Sequence, residues 1–267
     1  MSLITSNQNP IVKEIKSLKE KKIREEKRQF FIEGIRFVEE ALKEDCDISS
    51  IVVSERFPQT KGAEFLLNGI HQAGVKYHML SDKIFREISD TENPQGILAV
   101  IKMKEVRVEN VLQQQGLFIL LESIQDPGNM GTIIRTADAA GVNGIILSKG
   151  CVDIYNPKVL RSTMGSIFHV PVCQTENFED TLQILKEKGI KILAAHLKGQ
   201  TNYFDQDMKD RVAIIIGNEA NGISDEVAAL ADVLVRIPMP GKAESLNASI
   251  AAGLLIYETV RQQTHNN

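Results

Sequence analysis

The chain has 267 residues, of which 43% are hydrophobic and 25% are charged, the balance of an ordinary globular protein with one large or two modest domains. Its formal net charge of −4 excludes nucleic-acid binding by overall charge, so any such contact requires a local basic patch. Three separate cysteines without a CxxC pair predict neither a zinc site nor a disulfide framework, and no apolar run approaches the roughly 20 residues of a membrane span. We therefore expect a cytoplasmic protein with reduced thiols, no metal and no membrane association.

Residues 1–103 predict a small α/β domain. A helical stretch begins at Asn9–Pro10, and another helix begins at Gly34. The first helix carries on one face Ile11, Ile15, Leu18 and the stem of Lys22. β-Branched or aromatic runs predict four short strands, at residues 30–32, 51–53, 75–79 and 97–101. Because helices alternate with these strands, the pattern is typical of a layered α/β sheet.

Lysine and arginine residues are concentrated between residues 13 and 36. Glutamates are interspersed with them, so one interpretation is a solvated helical face with ion pairs four residues apart. The other interpretation is a phosphate-binding patch, without base stacking because no aromatic side chain interrupts the run of basic residues. The candidates for nucleic-acid binding under that interpretation are Lys13, Lys16, Arg24 and Arg28.

The character of the chain changes at residues 104–115, a polar and aperiodic stretch that we predict to be a linker. Beyond it, short continuous apolar runs alternate with helical patterns, which predicts a parallel sheet covered by helices on both faces. The five predicted strands are 117–121, 145–147, 190–194, 212–216 and 233–237. The helical patterns cover 129–140, 156–164, 178–188, 224–230 and 246–262.

The first of three polar loops, residues 125–131, follows the first of these strands. Pro127–Gly128 predicts a tight turn, and the helix that follows carries Arg135 among small and apolar side chains. An arginine is favourable there only with an anionic or polar partner, or when its side chain reaches solvent. A surface ion pair with Asp138 or Glu122 is one interpretation, and a functional charge is the other.

The second loop, residues 217–224, follows strand 212–216 at the edge where open parallel sheets bind ligands. Its glycines leave backbone N–H groups uncovered, and Glu219 between them offers a carboxylate acceptor. Ser224 is predicted to cap the helix that follows, which leaves Glu219 without a structural role.

The third loop, residues 237–249, is stiffened by two prolines, and Ser245 is predicted to cap the next helix. That helix starts with the polar Asn247 and Ser249 and is then apolar on nearly all sides, which predicts burial on more than one side. Its small residues permit close contact with another helix, within the subunit or across a dimer. Because all three loops follow strands of the same half, we expect a single cleft.

Three segments resemble, in order, the signature motifs of the SpoU/TrmH family of RNA ribose methyltransferases. They are DPGNMGTIIRTADAAG (126–141), IIIGNEANGIS (214–224) and IPMPGKAESLNASIAAGLLIYE (237–258). The first half is similar to the substrate-binding domain often joined to these enzymes, itself similar to ribosomal protein L30e, through FFIEGIRFVEEAL (30–42) and NPQGILAV (93–100). The resemblance spans nearly the whole chain, with domains expected at 1–103 and 116–267.

The resemblance implies an α/β fold with a deep trefoil knot near the C-terminus, which sequence pattern alone would not predict. It also implies S-adenosylmethionine as the cofactor, held by backbone of the knot, and a homodimer whose interface adjoins the cofactor. The positions implied for catalysis are Asn129, Arg135, Glu219, Ser245, Asn247 and Ser249. Those implied for cofactor contact are Gly217, Ile237 and Leu246. Ala220 departs from the family pattern, because many members carry glycine there.

The activity that the resemblance implies is transfer of a methyl group to a ribose 2′-oxygen of RNA. For this transfer, positioning and partial deprotonation of the hydroxyl matter most. Arg135 is a poor general base because a guanidinium stays protonated, so we expect it to hold the target phosphate or ribose and to stabilise developing alkoxide charge. Glu219 and Asn247 are expected to orient Arg135 or the substrate, and no metal is needed.

Two other functions stay open at this point. One is an RNA-binding adaptor without activity, which a cofactor titration would distinguish from an enzyme. The other is a nucleotide-dependent oxidoreductase, because a strand, a glycine turn and a helix follow one another at 117–140; however, GNMG does not complete G-x-G-x-x-G, and no acidic residue ends the 145–147 strand. The L30e-like half favours ribosomal over transfer RNA as the substrate, by analogy.

Overall fold

Two β-sheets organise the chain. In the computed structural model, which describes residues 3–113 and 116–264, one sheet has four strands and the other has seven. The chain divides into two units around these sheets. The first unit contains the residues up to Glu105 together with Tyr155–Phe168, and the second contains Val106–Ile154 and the residues from His169 onward. Within residues 3–113 and 116–264, no helix combines the length and the apolar character needed to cross a membrane.

Strands and helices alternate along most of the chain. The strands are β1 (Gln29–Glu33), β2 (Ile48–Ser54), β3 (Tyr77–Leu80), β4 (Ile97–Lys102), β5 (Leu117–Leu121), β6 (Gly144–Leu147), β7 (Val172–Gln174), β8 (Lys191–Ala195), β9 (Thr201–Asn202), β10 (Val212–Ile216) and β11 (Val233–Arg236). The helices are α1 (Pro10–Ser17), α2 (Lys21–Lys27), α3 (Ile35–Lys43), α4 (Ala63–Gln72), α5 (Asp82–Ile88), α6 (Val108–Val111), α7 (Pro127–Ala139), α8 (Pro157–Thr163), α9 (Phe178–Glu187), α10 (Asp225–Leu230) and α11 (Ala248–Thr264).

The sheet of the first unit has the strand order β1-β4-β2-β3, antiparallel except for the β2–β3 pair. Successive side chains of a strand point to opposite faces, so Phe30 and Ile32 enter one core while Phe31 enters another. Residues of α3, α4 and α8 complete the first core, and residues of α1 and α5 complete the second. The sheet is therefore covered by helices on both faces, as the sequence predicts for a layered α/β domain.

The predicted first helix is shorter than the sequence pattern indicates. Helix α1 ends at Ser17, and Lys22 is exposed at the start of a separate helix, so the prediction that its stem shares the apolar face is wrong. The physical reason lies in Arg24, whose buried guanidinium donates from Nη1 to the carbonyl oxygens of Leu18 and Lys19, each at 2.8 Å. These bonds satisfy the carbonyls at the end of α1 and stabilise a turn there.

The segment Tyr155–Phe168 belongs to the first unit although it follows β6 of the second sheet. The Tyr155 ring lies 4.5 Å from that of Phe30, and the Phe168 ring lies 5.4 Å from that of Phe37 (centroid to centroid). The division of the chain thus differs from the expected domains at 1–103 and 116–267, because sequence pattern does not reveal which core a later segment joins. A fragment that ended at residue 103 would lack part of its own core.

The predicted linker at 104–115 is also more structured than expected. It contains α6, and Val111 and Leu112 are buried in the core of the second unit. Gln114 and Gln115 lie outside the described residues. The apolar residues of this stretch are too few to show a periodicity, which explains why they read as a linker.

The sheet of the second unit is parallel throughout, with the order β7-β6-β5-β10-β8-β11-β9. All five predicted strands are present, and the parallel α/β prediction is confirmed. Strands β7 and β9 are not predicted, because they have only three and two residues. Residues of α6, α9 and α10 line the core on one face, while α7 and α11 pack against each other and α11 contacts β10.

The two strands that flank β11 in the sheet both precede it in sequence. Strand β11 pairs with β8 on one edge and with β9 on the other, yet only residues 196–200 join β8 to β9. This connection must therefore cross one face of β11, and it does so at close range. A Cβ atom added to Gly199 would lie 2.7 Å from the carbonyl carbon of Val235. The trefoil knot that the resemblance implies stays a prediction.

Candidate active site

Helix α7 begins in the first polar loop, and its cap places one candidate residue in the interior. The Asp126 side chain accepts a hydrogen bond from the Asn129 backbone N–H at 2.8 Å, and Pro127 occupies the first helical turn. Asn129 is consequently held in the first turn with only 8% of its surface exposed. A buried side-chain amide requires hydrogen-bond partners, and it finds them on the other two loops.

The second polar loop is a tight turn closed by its own backbone. Asn218 and Gly222 exchange two backbone hydrogen bonds of 2.9 Å each, and Gly222 has a φ of +72°, which favours glycine. A Cβ atom added to Gly217 would lie 2.3 Å from the carbonyl carbon of Gly222, so the turn also requires glycine there. The closed turn carries Glu219 at the carboxyl end of β10, beside the loop that follows β5.

The Glu219 carboxylate joins the second loop to the first. It accepts hydrogen bonds from Asn129 Nδ2 at 2.9 Å and from the backbone N–H groups of Gln125 and Asp126 at 3.3 Å each. Burial raises the pKa of the Glu219 carboxyl, but these hydrogen bonds together outweigh it and bring the pKa below its ordinary value. Glu219 is therefore ionised at neutral pH and acts only as an acceptor.

Asn129 connects the Glu219 carboxylate to the third loop. Since its Nδ2 donates to the carboxylate, its Oδ1 faces Asn247 and accepts from Asn247 Nδ2 at 2.8 Å. Asn247 Oδ1 in turn accepts from Ser249 Oγ at 2.6 Å and from the Ser249 N–H at 2.9 Å. Four of the six predicted catalytic residues thus form one hydrogen-bonded network that starts from a single charge.

The start of α11 differs from the prediction. Ser245 is exposed and lies before the helix, which begins at Ala248. The cap is Asn247, whose Oδ1 accepts from the backbone N–H groups of Ser249 and Ile250. The prediction that Ser245 caps the helix is wrong because two good capping residues stand close together in sequence, and pattern does not distinguish them.

Arg135 lies apart from this network. Its side chain is exposed on α7, and within residues 3–113 and 116–264 it makes no hydrogen bond or ion pair. Both ion-pair partners considered from the sequence are engaged elsewhere: Asp138 contacts His169 Nδ1 at 2.9 Å, and Glu122 accepts from Ser224 Oγ at 2.6 Å. The surface ion-pair interpretation is therefore wrong, and no direct contact with Glu219 or Asn247 orients the guanidinium.

A cavity of about 580 Å³ opens at the carboxyl ends of β8, β10 and β11. All three predicted cofactor contacts, Gly217, Ile237 and Leu246, line it, and so do Glu219 and Ser245. The walls also include residues that sequence analysis did not single out, among them Leu197, Val235 and Met239. Their position after or within buried strands was the available signal. The volume is typical of small-molecule sites.

The cysteines offer no alternative nucleophile. Cys151 and Cys173 are buried, Cys46 is half-buried, and all three are free thiols. Burial raises the pKa of Cys46 to about 11 and that of Cys173 to about 12, so both thiols stay protonated at neutral pH.

The basic cluster of the first unit is largely compensated by acidic neighbours. Lys16 Nζ lies 3.1 Å from a Glu87 carboxylate oxygen, and ion pairs four residues apart join Lys21 to Glu25 and Lys22 to Glu26. Arg24 is buried and stabilises the end of α1, so the prediction that it binds nucleic acid is wrong. Lys13 and Arg28 are exposed.

Comparison with known proteins gives a consistent result over both halves of the chain. Residues 116–257 match the model of the SpoU rRNA Methylase family, and residues 9–99 match the MRM3-like substrate binding domain. The chain is 36% identical to the 23S rRNA (guanosine(2553)-2′-O)-methyltransferase RlmP of Bacillus subtilis, over 96% of this chain and 98% of that one.

Two solved structures are similar over nearly the whole length. One is the AdoMet-bound rRNA methyltransferase from Sinorhizobium meliloti, with a TM-score of 0.88 and 35% identity, covering 97% of each chain. The other is the SpoU methyltransferase AviRb from Streptomyces viridochromogenes, with a TM-score of 0.86 and 26% identity, covering 97% of this chain and 99% of that one.

Proposed function

Because the chain belongs to the SpoU rRNA methylase family, we propose that it transfers a methyl group from S-adenosylmethionine to a ribose 2′-oxygen of ribosomal RNA. The observation that carries this proposal is the network from Glu219 through Asn129 to Asn247, which joins all three signature motifs beside a ligand-sized cavity. Membership of this family argues against the nucleotide-dependent oxidoreductase considered from the sequence.

The cavity fits S-adenosylmethionine by its chemistry. Val235, Ile237 and Met239 supply apolar walls for an adenine ring, and the 217–222 turn forms part of the same cavity wall. Glu219 and Glu244 also line this cavity, and their negative charge suits a ligand that carries a sulfonium charge. When bound, S-adenosylmethionine would supply a methyl group on a sulfonium sulfur: the C–S bond breaks as the C–O bond to the 2′-oxygen forms, a neutral thioether remains, and the hydroxyl proton is released to water.

The residues of the chain contribute position and charge to this reaction. Asn129, Asn247 and Ser249 set the orientation of hydrogen-bonding groups beside the cavity, with Glu219 as the fixed charge. Arg135, exposed and unpaired among the described residues, is free to hold the target phosphate or ribose and to stabilise negative charge on the 2′-oxygen. Ser245 lines the cavity, which supports the proposal that it contacts the cofactor or the ribose.

The first unit supports RNA as the substrate and ribosomal RNA in particular. It matches a substrate-binding domain, and two relatives that align over both units, those from Bacillus subtilis and Sinorhizobium meliloti, carry rRNA in their names. Lys13 and Arg28 are its exposed candidates for phosphate contact. Lys16 is paired with Glu87, so a phosphate would have to compete with this carboxylate for it. Action on ribosomal RNA fits a cytoplasmic protein that uses no metal and is not bound to a membrane.

The proposed function is tested by mapping 2′-O-methyl groups in total RNA from cells with and without the gene. We expect one ribosomal position to lose its methyl group and to regain it with a plasmid copy of the unaltered gene. The inactive-adaptor alternative predicts an unchanged map in both strains. A lost methyl group in transfer RNA instead would contradict the assignment to ribosomal RNA.

We also propose a homodimer that forms through α11. Ile250, Leu254 and Tyr257 recur at helical spacing on one face, with 54%, 37% and 49% of their surfaces exposed. A contiguous apolar stripe on a helix whose other face is buried marks an interaction surface. A second copy of the chain is the occupant that this proposal assigns, because like helices of two subunits can pair across a two-fold axis. Ile256 on the same helix is buried in the core and does not belong to this stripe.

Light scattering at micromolar concentration is expected to give twice the chain mass of 29.7 kDa. Leu254→Glu is expected to yield folded monomers with weakened S-adenosylmethionine binding, because α11 adjoins the 237–247 loop of the cavity. Phe65→Glu, which alters an exposed side chain on α4, is the matched control and should stay dimeric. A single mass near 29.7 kDa for the unaltered protein would contradict the dimer.

A further inference from the structure

Glu122 ties the far end of the 217–224 turn to the loop after β5. It follows β5 directly, and its carboxylate accepts from Ser224 Oγ at 2.6 Å and from the Ser224 N–H at 3.0 Å. Ser224 also caps α10 by accepting from the Val227 N–H at 3.3 Å, as the sequence predicts. One side chain therefore fixes both the end of the turn and the start of the next helix to the neighbouring strand.

Asn218 ties the near end of the same turn. Its Nδ2 donates to the Ser123 carbonyl oxygen at 2.7 Å, while its Oδ1 accepts from the Ala220 and Asn221 N–H groups at 2.9 and 3.1 Å. Ser123 has a φ of +55°, a left-handed conformation that is uncommon for residues other than glycine. Its N–H is fixed by Ser148 Oγ at 2.9 Å, so two neighbouring strands hold the carbonyl that Asn218 contacts.

Glu219 lies in sequence between Asn218, which contacts Ser123, and Ser224, which contacts Glu122. Its bonds from the Gln125 and Asp126 N–H groups are long, at 3.3 Å, so a small outward movement of the turn would break them. We propose that Glu122 and Asn218 are positioning residues for methyl transfer, which hold the 217–224 turn against the loop after β5 so that Glu219 stays in contact with Asn129. The inference rests on the proposed function, and neither residue is assigned a contact with substrate.

The direction in which the pKa of Glu219 changes distinguishes loss of the Glu122 charge from release of the turn. Other titratable groups at this end of the sheet are Asp126 on the loop after β5, the ion pair of Lys149 and Glu176 after β6 and β7, and His196, Lys198, Asp225 and Glu244 on the cavity wall. Removing the Glu122 charge alone would lower the pKa of Glu219, because one like charge is lost. Releasing the turn would raise it, because the hydrogen bonds that favour the carboxylate are lost. The two effects have opposite directions.

The test follows the Glu219 side-chain carboxyl by ¹³C NMR in the cofactor-free full chain, with Glu219→Gln for assignment. Glu122→Ala and Asn218→Ala are each expected to raise the pKa of Glu219 towards its ordinary value. Glu122→Gln keeps an acceptor for the Ser224 N–H and an amide for its hydroxyl, so the pKa should stay at or below its value in the unaltered protein. Glu179→Ala, at the exposed start of α9, is the matched control and should leave it unchanged.

Transfer assays supply a second readout. In both alanine variants kcat should fall about tenfold, and the acid limb of its pH profile should move to higher pH, whereas Glu122→Gln should restore both. A pKa of Glu219 that falls or stays constant in the folded alanine variants would overturn the inference. If Glu122→Ala does not fold by circular dichroism, Asn218→Ala decides alone. A failure of the proposed function looks different, because the unaltered protein would then transfer no methyl group while the NMR result stands.

Discussion

Arg135→Ala is expected to lower the rate of methyl transfer about 10²–10³-fold while the dissociation constant for S-adenosylmethionine stays within about twofold. The guanidinium is exposed on α7 and does not line the cavity, so its removal leaves the cofactor walls intact. What is lost is a fixed charge for the RNA and for the developing negative charge on the 2′-oxygen. Calorimetric titration with the cofactor and a radiolabel transfer assay measure the two halves of this expectation.

Two further variants make the result specific. Arg135→Lys keeps the charge but not the planar pair of donors, so an intermediate rate is expected. Arg86→Ala, which removes an exposed arginine from α5, should leave both quantities unchanged. Near-normal turnover by Arg135→Ala would remove this side chain from the mechanism.

Gly217→Ala is expected to weaken S-adenosylmethionine binding about 10–100-fold, which corresponds to the few kcal/mol of a forced backbone shift. The added Cβ would lie 2.3 Å from the Gly222 carbonyl carbon and 2.4 Å from its oxygen and from the Ile223 nitrogen. These are backbone atoms, which cannot rotate away, so the turn must open. The opened turn would change the cavity wall and draw Glu219 away from Asn129.

The matched control for this variant is Gly69→Ala. It lies in α4, where an added Cβ meets nothing within 4 Å, and it should leave cofactor affinity unchanged. Isothermal titration calorimetry measures both variants, with circular dichroism to confirm that each is folded. Unaltered affinity in Gly217→Ala would show that the turn does not form part of the cofactor site.

Much of the parallel sheet was predictable, because its strands are buried on both faces and therefore continuously apolar. The predicted strands 117–121 and 212–216 coincide with β5 and β10. Strand β9 was not predictable, since two residues carry no periodicity, and its pairing depends on β11, more than thirty residues later in the chain. Local pattern determines the central strands, and tertiary contacts determine the edges.

The candidate site was predictable only as a meeting of three loops. Asn129 contacts Glu219 and Asn247, which are 90 and 118 residues away in sequence, and the motifs indicated that these loops share a cleft. The motifs did not indicate that the Asn129 amide would donate to Glu219 and accept from Asn247. The roles of Glu122 and Asn218 were missed because each reads as an ordinary strand-end residue; the signal for Asn218 was its place between two glycines in a turn that an asparagine side chain can stabilise.

The roles of the individual residues in the basic cluster could not be predicted from the sequence. Its sequence favoured neither a solvated face nor a phosphate site, and the structure separates its members one by one. Arg24 folds back onto two carbonyl oxygens, while Lys13 and Arg28 stay exposed. A run of charges does not reveal which long side chain turns inward, because that depends on where the preceding helix ends.

The position of β11 between β8 and β9 limits the order in which these strands can pair during synthesis. β8 and β9 are synthesised before the strand that comes to lie between them, at a rate of about 5–20 residues per second. Because β9 lies at the edge of the sheet and is paired there with β11, it can join the sheet only after β11 has been made. The 237–247 loop and α11 are synthesised later still, so neither the cavity nor the face that we assign to a second subunit can be complete before α11 has been made.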